Sequence, residues 1–144
     1  MTAHTFLLAP GVWLGEGNIT FNASDESINF YTRWVILESE DAFTCTQEVE
    51  MKGIDGKVEN LYVISKITSE SFVIALDNEL IGKVQGKGVV DPKNIAWEIR
   101  GQKDFEGFEV FELQSAGDYK FHSEFYSPDQ FRTIIDGKLW KKLD

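Results

Sequence analysis

The sequence predicts an all-β protein: an antiparallel up-and-down meander closed into a barrel of about ten strands. Between Trp13 and Trp140 about nine turn clusters punctuate the chain, one roughly every ten to fifteen residues. The segments between them alternate apolar and polar side chains, the period of a strand with one buried face. No segment carries a helical stripe longer than about two turns. A meander of this many one-faced strands covers its apolar surface and removes its edges by closing on itself.

The first segment opens near Gly11, and residues 10–13 are expected to form a short turn closing one end of the barrel. After Ala23-Ser24-Asp25-Glu26, the residues Ile28, Phe30, Thr32, Trp34 and Ile36 share the inner face, opposite Asn29, Tyr31 and Arg33. Val35 and Leu37 make the outer face of this segment apolar toward its end. Past Glu38-Ser39-Glu40-Asp41 the alternation is clearest: Phe43, Cys45, Gln47, Val49 and Met51 point in, while Thr44, Thr46, Glu48, Glu50 and Lys52 point out. Turns at Gly53-Ile54-Asp55-Gly56, Thr68-Ser69-Glu70 and Asp77-Asn78-Glu79 bound two further strands, with Tyr62 and Ile64, then Phe72, Ile74 and Leu76, facing in.

Between residues 80 and 90, Gly82, Gly86 and Gly88 interrupt the packing face and point to sharp curvature. Asp91-Pro92-Lys93-Asn94 precedes a strand with Ile95, Trp97 and Ile99 inside. The segment after Asp104 to Gly107 leaves two registers open, because Phe108 and Val110 compete with Phe111 and Leu113. Either Glu109 or Glu112 then faces the interior, where a carboxylate requires partners. Beyond Ser115-Ala116-Gly117-Asp118, Tyr119, Phe121, Ser123 and Phe125 face in and His122 faces out. Ser127-Pro128-Asp129 precedes the last strand, with Phe131, Thr133 and Ile135 inside.

The 144 residues fit one domain, 1–144, without repeat, linker or low-complexity tract. A net charge of -10 with scattered Lys and Arg argues against nucleic-acid or anionic-membrane partners, whose phosphates need clustered cations. Cys45, the single cysteine, has no disulfide partner, and two distant histidines offer no zinc spacing. A reducing compartment fits this usage. The stretch from Met1 to Pro10 has no basic start and only a short apolar run, unlike a signal peptide or a spanning helix, so a cytoplasmic location without membrane insertion is expected.

The opening Gly11-Val12-Trp13-Leu14-Gly15-Glu16-Gly17 resembles the Gly-x-Trp start of the calycin superfamily, especially its bacterial lipocalin-like and nitrobindin-like barrels. In that family the Trp plugs the narrow end and the glycines let the first strand cross closely over its neighbours. The resemblance implies a basic residue from the last strand covering Trp13, either Arg132 or Lys141. It also marks departures. Haem binding in a nitrobindin would need a histidine on an inner C-terminal strand, and His122 lies on the outer face. The loop from Asn22 to Ser27 is too short for the helical lid of fatty-acid-binding relatives, and no interior arginine is available for their carboxylate clamp.

An interior with Thr32, Trp34, Gln47, Tyr62, Trp97, Tyr119 and Ser123 is mostly apolar with a few orienting polar groups, the composition of a ligand pocket. The same aromatics can also fill a packed barrel core. Cys45, with no basic partner nearby in the chain, reads as a small buried apolar residue rather than a nucleophile. His122 and Glu124 share an outer face, where surface pairing is the simpler role. Gly82 to Gly88 lacks the spacing of a phosphate loop. The expected function is non-catalytic binding of a small apolar or amphipathic molecule inside the barrel, with no metal and no cofactor implied. Two alternatives stand beside it. One is a small cyclase, isomerase or lyase built on Gln47, Tyr62, Tyr119, Ser123 and the inward glutamate. The other is an interaction protein with a packed barrel that forms a homodimer or partner surface around Tyr31, Arg33, Val35 and Leu37.

Overall fold

A computed structural model describes residues 4–100, 105–127 and 131–143. Ten strands follow one another: β1 (Gly11–Phe21), β2 (Ser27–Ser39), β3 (Ala42–Met51), β4 (Val58–Ser65), β5 (Ser71–Asn78), β6 (Gly82–Val90), β7 (Asn94–Ile99), β8 (Glu106–Leu113), β9 (Tyr119–Tyr126) and β10 (Arg132–Lys141). No helix occurs among the described residues. Every strand pairs antiparallel with its chain neighbour, and β1 also pairs with β10, so the sheet closes without an edge. Of the turn segments expected from sequence, Asp104, Pro128 and Asp129 lie outside the described residues, as do Met1, Thr2 and Ala3.

The inward alternation runs through the register. Across the β2–β3 ladder Trp34 stands opposite Gln47 and Ile36 opposite Cys45, and across β3–β4 Cys45 stands opposite Tyr62. Cross-strand partners share a face of the sheet, so a single correct assignment propagates around the barrel. Strand β8 resolves the open register: Glu109 lies opposite Trp97 on one side and Ser123 on the other, and is buried. Glu112 is exposed.

One end of the barrel is closed by the chain that precedes β1. Residues 10–13 do not make the expected turn, since β1 already begins at Gly11; the plug comes from His4 to Leu8 instead. Phe6 and Leu7 are fully buried, and the Phe6 ring meets Trp13, Trp34, Phe111 and Tyr119 at centroid distances of 5.4, 5.2, 4.9 and 5.6 Å. His4 ties this segment down. Its Nε2–H donates to the Asp91 carbonyl at 2.7 Å, which leaves Nδ1 to accept from the Tyr119 hydroxyl, also at 2.7 Å. A hydrophobic plug fixed by a satisfied buried histidine seals the floor of the interior.

Close approach explains the glycines of β1. A Cβ on Gly17 would lie 2.1 Å from the Asp136 carbonyl oxygen, so only glycine lets β1 cross β10 at this distance. Gly88 has a different cause: its missing side chain admits the Phe72 ring, 2.1 Å from where a Cβ would sit. Gly86, whose Cβ would meet the Glu98 carbonyl, and Gly88 therefore accommodate protein rather than ligand, while Gly82 serves its positive φ of 73° at the start of β6.

Candidate functional site

The opposite end of the barrel is hollow. A cavity of about 340 Å³ lies among the β1–β2, β3–β4, β5–β6 and β8–β10 ends of the strands, lined largely by apolar side chains such as Phe30, Val49, Leu76, Phe121, Phe125 and Ile135. Alternation places these residues inside. The β5–β6 hairpin, with Leu80 and Ile81, stands at the rim. A wider hollow of about 820 Å³ lies against the outer wall, over β1, β2 and β8–β10, but it is an open groove bordered by charged side chains of both signs, among them Glu16, Glu112, Asp136, Lys120 and Lys138.

Two polar groups of residues interrupt the cavity's apolar wall. The first is centred on Glu109. Ser123 Oγ donates to its Oε1 at 2.9 Å and Tyr62 Oη to its Oε2 at 3.3 Å, while the Trp97 side chain supplies a third donor. Burial pushes the Glu109 carboxyl up to about 7, against the lowering effect of these three donors. The same burial, with the neighbouring carboxylate second, drives the Tyr62 phenol upward. No Lys, Arg or His lines the cavity among the described residues.

The second group is a ladder of amides. Asn78 Nδ2 donates to Asn60 Oδ1 at 2.6 Å, Asn60 Nδ2 to Gln47 Oε1 at 2.9 Å, and Gln47 Nε2 to Thr32 Oγ1 at 3.1 Å. Thr32 ends the run by donating to the Glu48 carbonyl at 2.9 Å. Four inward positions on β2 to β5 thus carry polar side chains that satisfy one another around the wall. The Leu80 backbone N–H caps the other end, on Asn78 Oδ1 at 2.7 Å. This last bond holds the rim hairpin to the ladder.

The seven residues singled out from sequence do not share one place. Gln47 and Tyr62 line the cavity; Ser123 and Trp97 lie behind it and hold Glu109; Thr32 anchors the ladder. Trp34 stacks on Tyr62 at 5.0 Å, deeper in the barrel. Tyr119 is at the sealed end, bonded to His4, so it does not join the enzyme constellation suggested with Tyr62 and Ser123. Trp13 is buried at that same end, but Arg132 is not above it. Arg132 lies at the far end of β10, 5.1 Å from the Tyr126 ring, and the residue opposite Trp13 is Lys141. Phe30, Asn60 and Asn78 line the cavity without having been singled out; for Asn60 and Asn78, their inward register was the available signal.

His122 faces outward between two carboxylates, with Nδ1 2.5 Å from Asp136 and Nε2 2.7 Å from Glu124. Both partners only accept, so both ring nitrogens must donate, and Asp136 first and Glu124 second raise the imidazole above its usual range. This cluster is on the outer wall and does not reach the cavity. Burial pushes the Cys45 thiol up to about 12, far from nucleophilic use. Among the described residues no three His, Cys, Asp or Glu side chains converge on a point that would hold a metal ion.

No protein family and no curated protein matches the sequence. A solved structure similar to this chain is that of an S-type phycobiliprotein lyase from Guillardia theta. The two superpose with a TM-score of 0.71 over 94% of this chain and 89% of that one, at 7% sequence identity. The likeness is one of fold: a closed antiparallel barrel.

Proposed function

We propose that the protein binds a small, largely apolar molecule with a polar head in the open end of its barrel, without chemistry of its own. The carrying observation is the cavity: about 340 Å³, apolar over most of its wall, with Glu109 and the amide ladder as its few polar groups. That volume lies at the small end of ligand pockets. Sealing of the opposite end by Phe6 and Leu7 gives the binding space a floor and one entrance. A ligand-handling role agrees with the fold shared with a phycobiliprotein lyase, and the bacterial lipocalin-like or nitrobindin-like affiliation rests on the Gly11-x-Trp13-x-Gly15-x-Gly17 start.

One observation favours a catalytic second reading. A buried carboxyl near 7, hydrogen-bonded by Tyr62 and Ser123 and facing a cavity, has the protonation balance of a general acid or base. Native mass spectrometry of the purified protein beside a denatured control tests the first reading. A stoichiometric small-molecule adduct supports it. A clean mass, with no thermal shift across lipids, tetrapyrroles and aromatic metabolites, overturns it. A bound compound recovered chemically altered would transfer the weight to catalysis.

A further inference from the structure

Glu109 is surrounded as an anion is surrounded. Its two oxygens face donors from three strands, Tyr62 on β4, Trp97 on β7 and Ser123 on β9, and none of these carries a positive charge. The ionisable groups that act on Tyr62 in turn are Glu109 and Cys45, neither of them a cation. A carboxylate accepts about four hydrogen bonds, so three donors leave it an acceptor site. A buried charge normally has a counter-charge, and here none is supplied by the described chain. The space beside it is the cavity, and its wall adds the rings of Phe30, Phe121 and Phe125, whose faces attract cations.

Resting on the binding role proposed above, we infer that the polar head of the ligand is a protonated nitrogen, an alkyl- or arylalkyl-ammonium or amidinium group, placed against Glu109 with its apolar body toward the cavity mouth. The ligand supplies both the missing counter-charge and the fourth hydrogen bond. A carboxylate-headed ligand such as a fatty acid is excluded by the same geometry, because it would bring a second anion to a site without a cation. The charge of the whole chain works in the same direction, since -10 draws cations toward the barrel and repels anions.

Three probes with one tail and different heads test this: n-octylamine, n-octanol and octanoate, titrated against tryptophan fluorescence or by calorimetry with the wild-type protein and the Glu109→Gln variant. Octylamine is expected to bind about tenfold or more tighter than octanol, as a charge-assisted contact in a desolvated site allows, with octanoate weakest. Glu109→Gln should abolish the preference for the amine, bringing octylamine and octanol to within about twofold of each other. A second arm needs no variant. The alkylammonium stays protonated below about pH 9, as lysine does, so lowering the pH from about 8 to about 5 should erase the wild-type preference by protonating Glu109. Equal binding of amine and alcohol, tighter binding of octanoate, or a preference that survives both Glu109→Gln and low pH overturns the cationic head while leaving the pocket in place. Binding of none of the three overturns the pocket and this inference together.

Discussion

Replacing Glu109 by Gln is expected to stabilise the empty protein near pH 8 and to leave it almost unchanged near pH 4. In the unfolded chain the carboxyl releases its proton near 4.5; in the folded protein burial holds that proton to about 7. Below the first value both states are protonated, and the group favours neither. Between the two the unfolded state alone gains its charge, so wild-type stability declines through that window and is level above it. The full effect corresponds to about 3 kcal/mol at most, because water in the adjoining cavity solvates part of the charge. Gln keeps the shape and never ionises, and the hydroxyls of Tyr62 and Ser123 can accept from its N–H groups as readily as donate. For a chain of this size about 3 kcal/mol is worth roughly 6–12 °C in Tm. Thermal melts by circular dichroism of both proteins from about pH 4 to 8.5, compared as a difference, cancel every other titrating group. A Tm difference that does not change with pH would refute the reasoning, by showing that Glu109 titrates alike in the folded and unfolded chains.

Other expectations address the plug, the strand crossing and the thiol. Phe6→Ala removes a fully buried ring from contact with four others and should cost about 3–5 kcal/mol, with a red shift of tryptophan emission as Trp13 and Trp34 meet water. A loss below about 1 kcal/mol would mean that the segment lies on the barrel rather than in it. Gly17→Ala places a methyl against the Asp136 carbonyl and should lower the urea midpoint by an amount equivalent to about 1–3 kcal/mol; an unchanged midpoint would show that β1 and β10 separate freely. Cys45 should resist an aromatic disulfide reagent near pH 8 in the native protein and react at once in denaturant, since burial removes access and holds the thiol protonated to about 12. Rapid native labelling would contradict its placement.

The architecture was readable because alternation and turn chemistry repeat in every segment. Phe43, Cys45, Gln47, Val49 and Met51 set one inner face, and register carries that face from strand to strand. Strand β8 was ambiguous from sequence because Phe108, Val110, Phe111 and Leu113 make both faces apolar; the choice falls to Glu109 because β8 must oppose Trp97 and Ser123 at once. That is information from two other strands, absent from the local pattern. The plug escaped notice for a related reason. Phe6 and Leu7 lie in a segment without period, and their burial depends on the ring of aromatics they meet, not on their neighbours in sequence. Of the two basic residues offered for Trp13, Arg132 is separated from it by the length of β10, whereas Lys141 stands opposite; strand direction decides between them. Asn78 falls in a turn cluster of the sequence and Asn60 lies two residues before the inward Tyr62; only the ladder through Gln47 and Thr32 reveals them as part of the wall.

Nine of the ten strand ladders form between chain neighbours as hairpins, but the tenth joins Trp13 to Lys141. A growing chain can therefore assemble its hairpins in turn during synthesis, yet it carries two unsatisfied sheet borders until Lys141 has been made. The final ladder closes a loop spanning nearly the whole chain, the kind of long-range pairing that slows folding. Until then the borders of β1 and of the newest strand are templates for another chain, and chaperone dependence or intermolecular pairing should concentrate in that interval. Loss of the β10 strand would make that vulnerable interval permanent, leaving an open sheet prone to aggregation in place of a barrel.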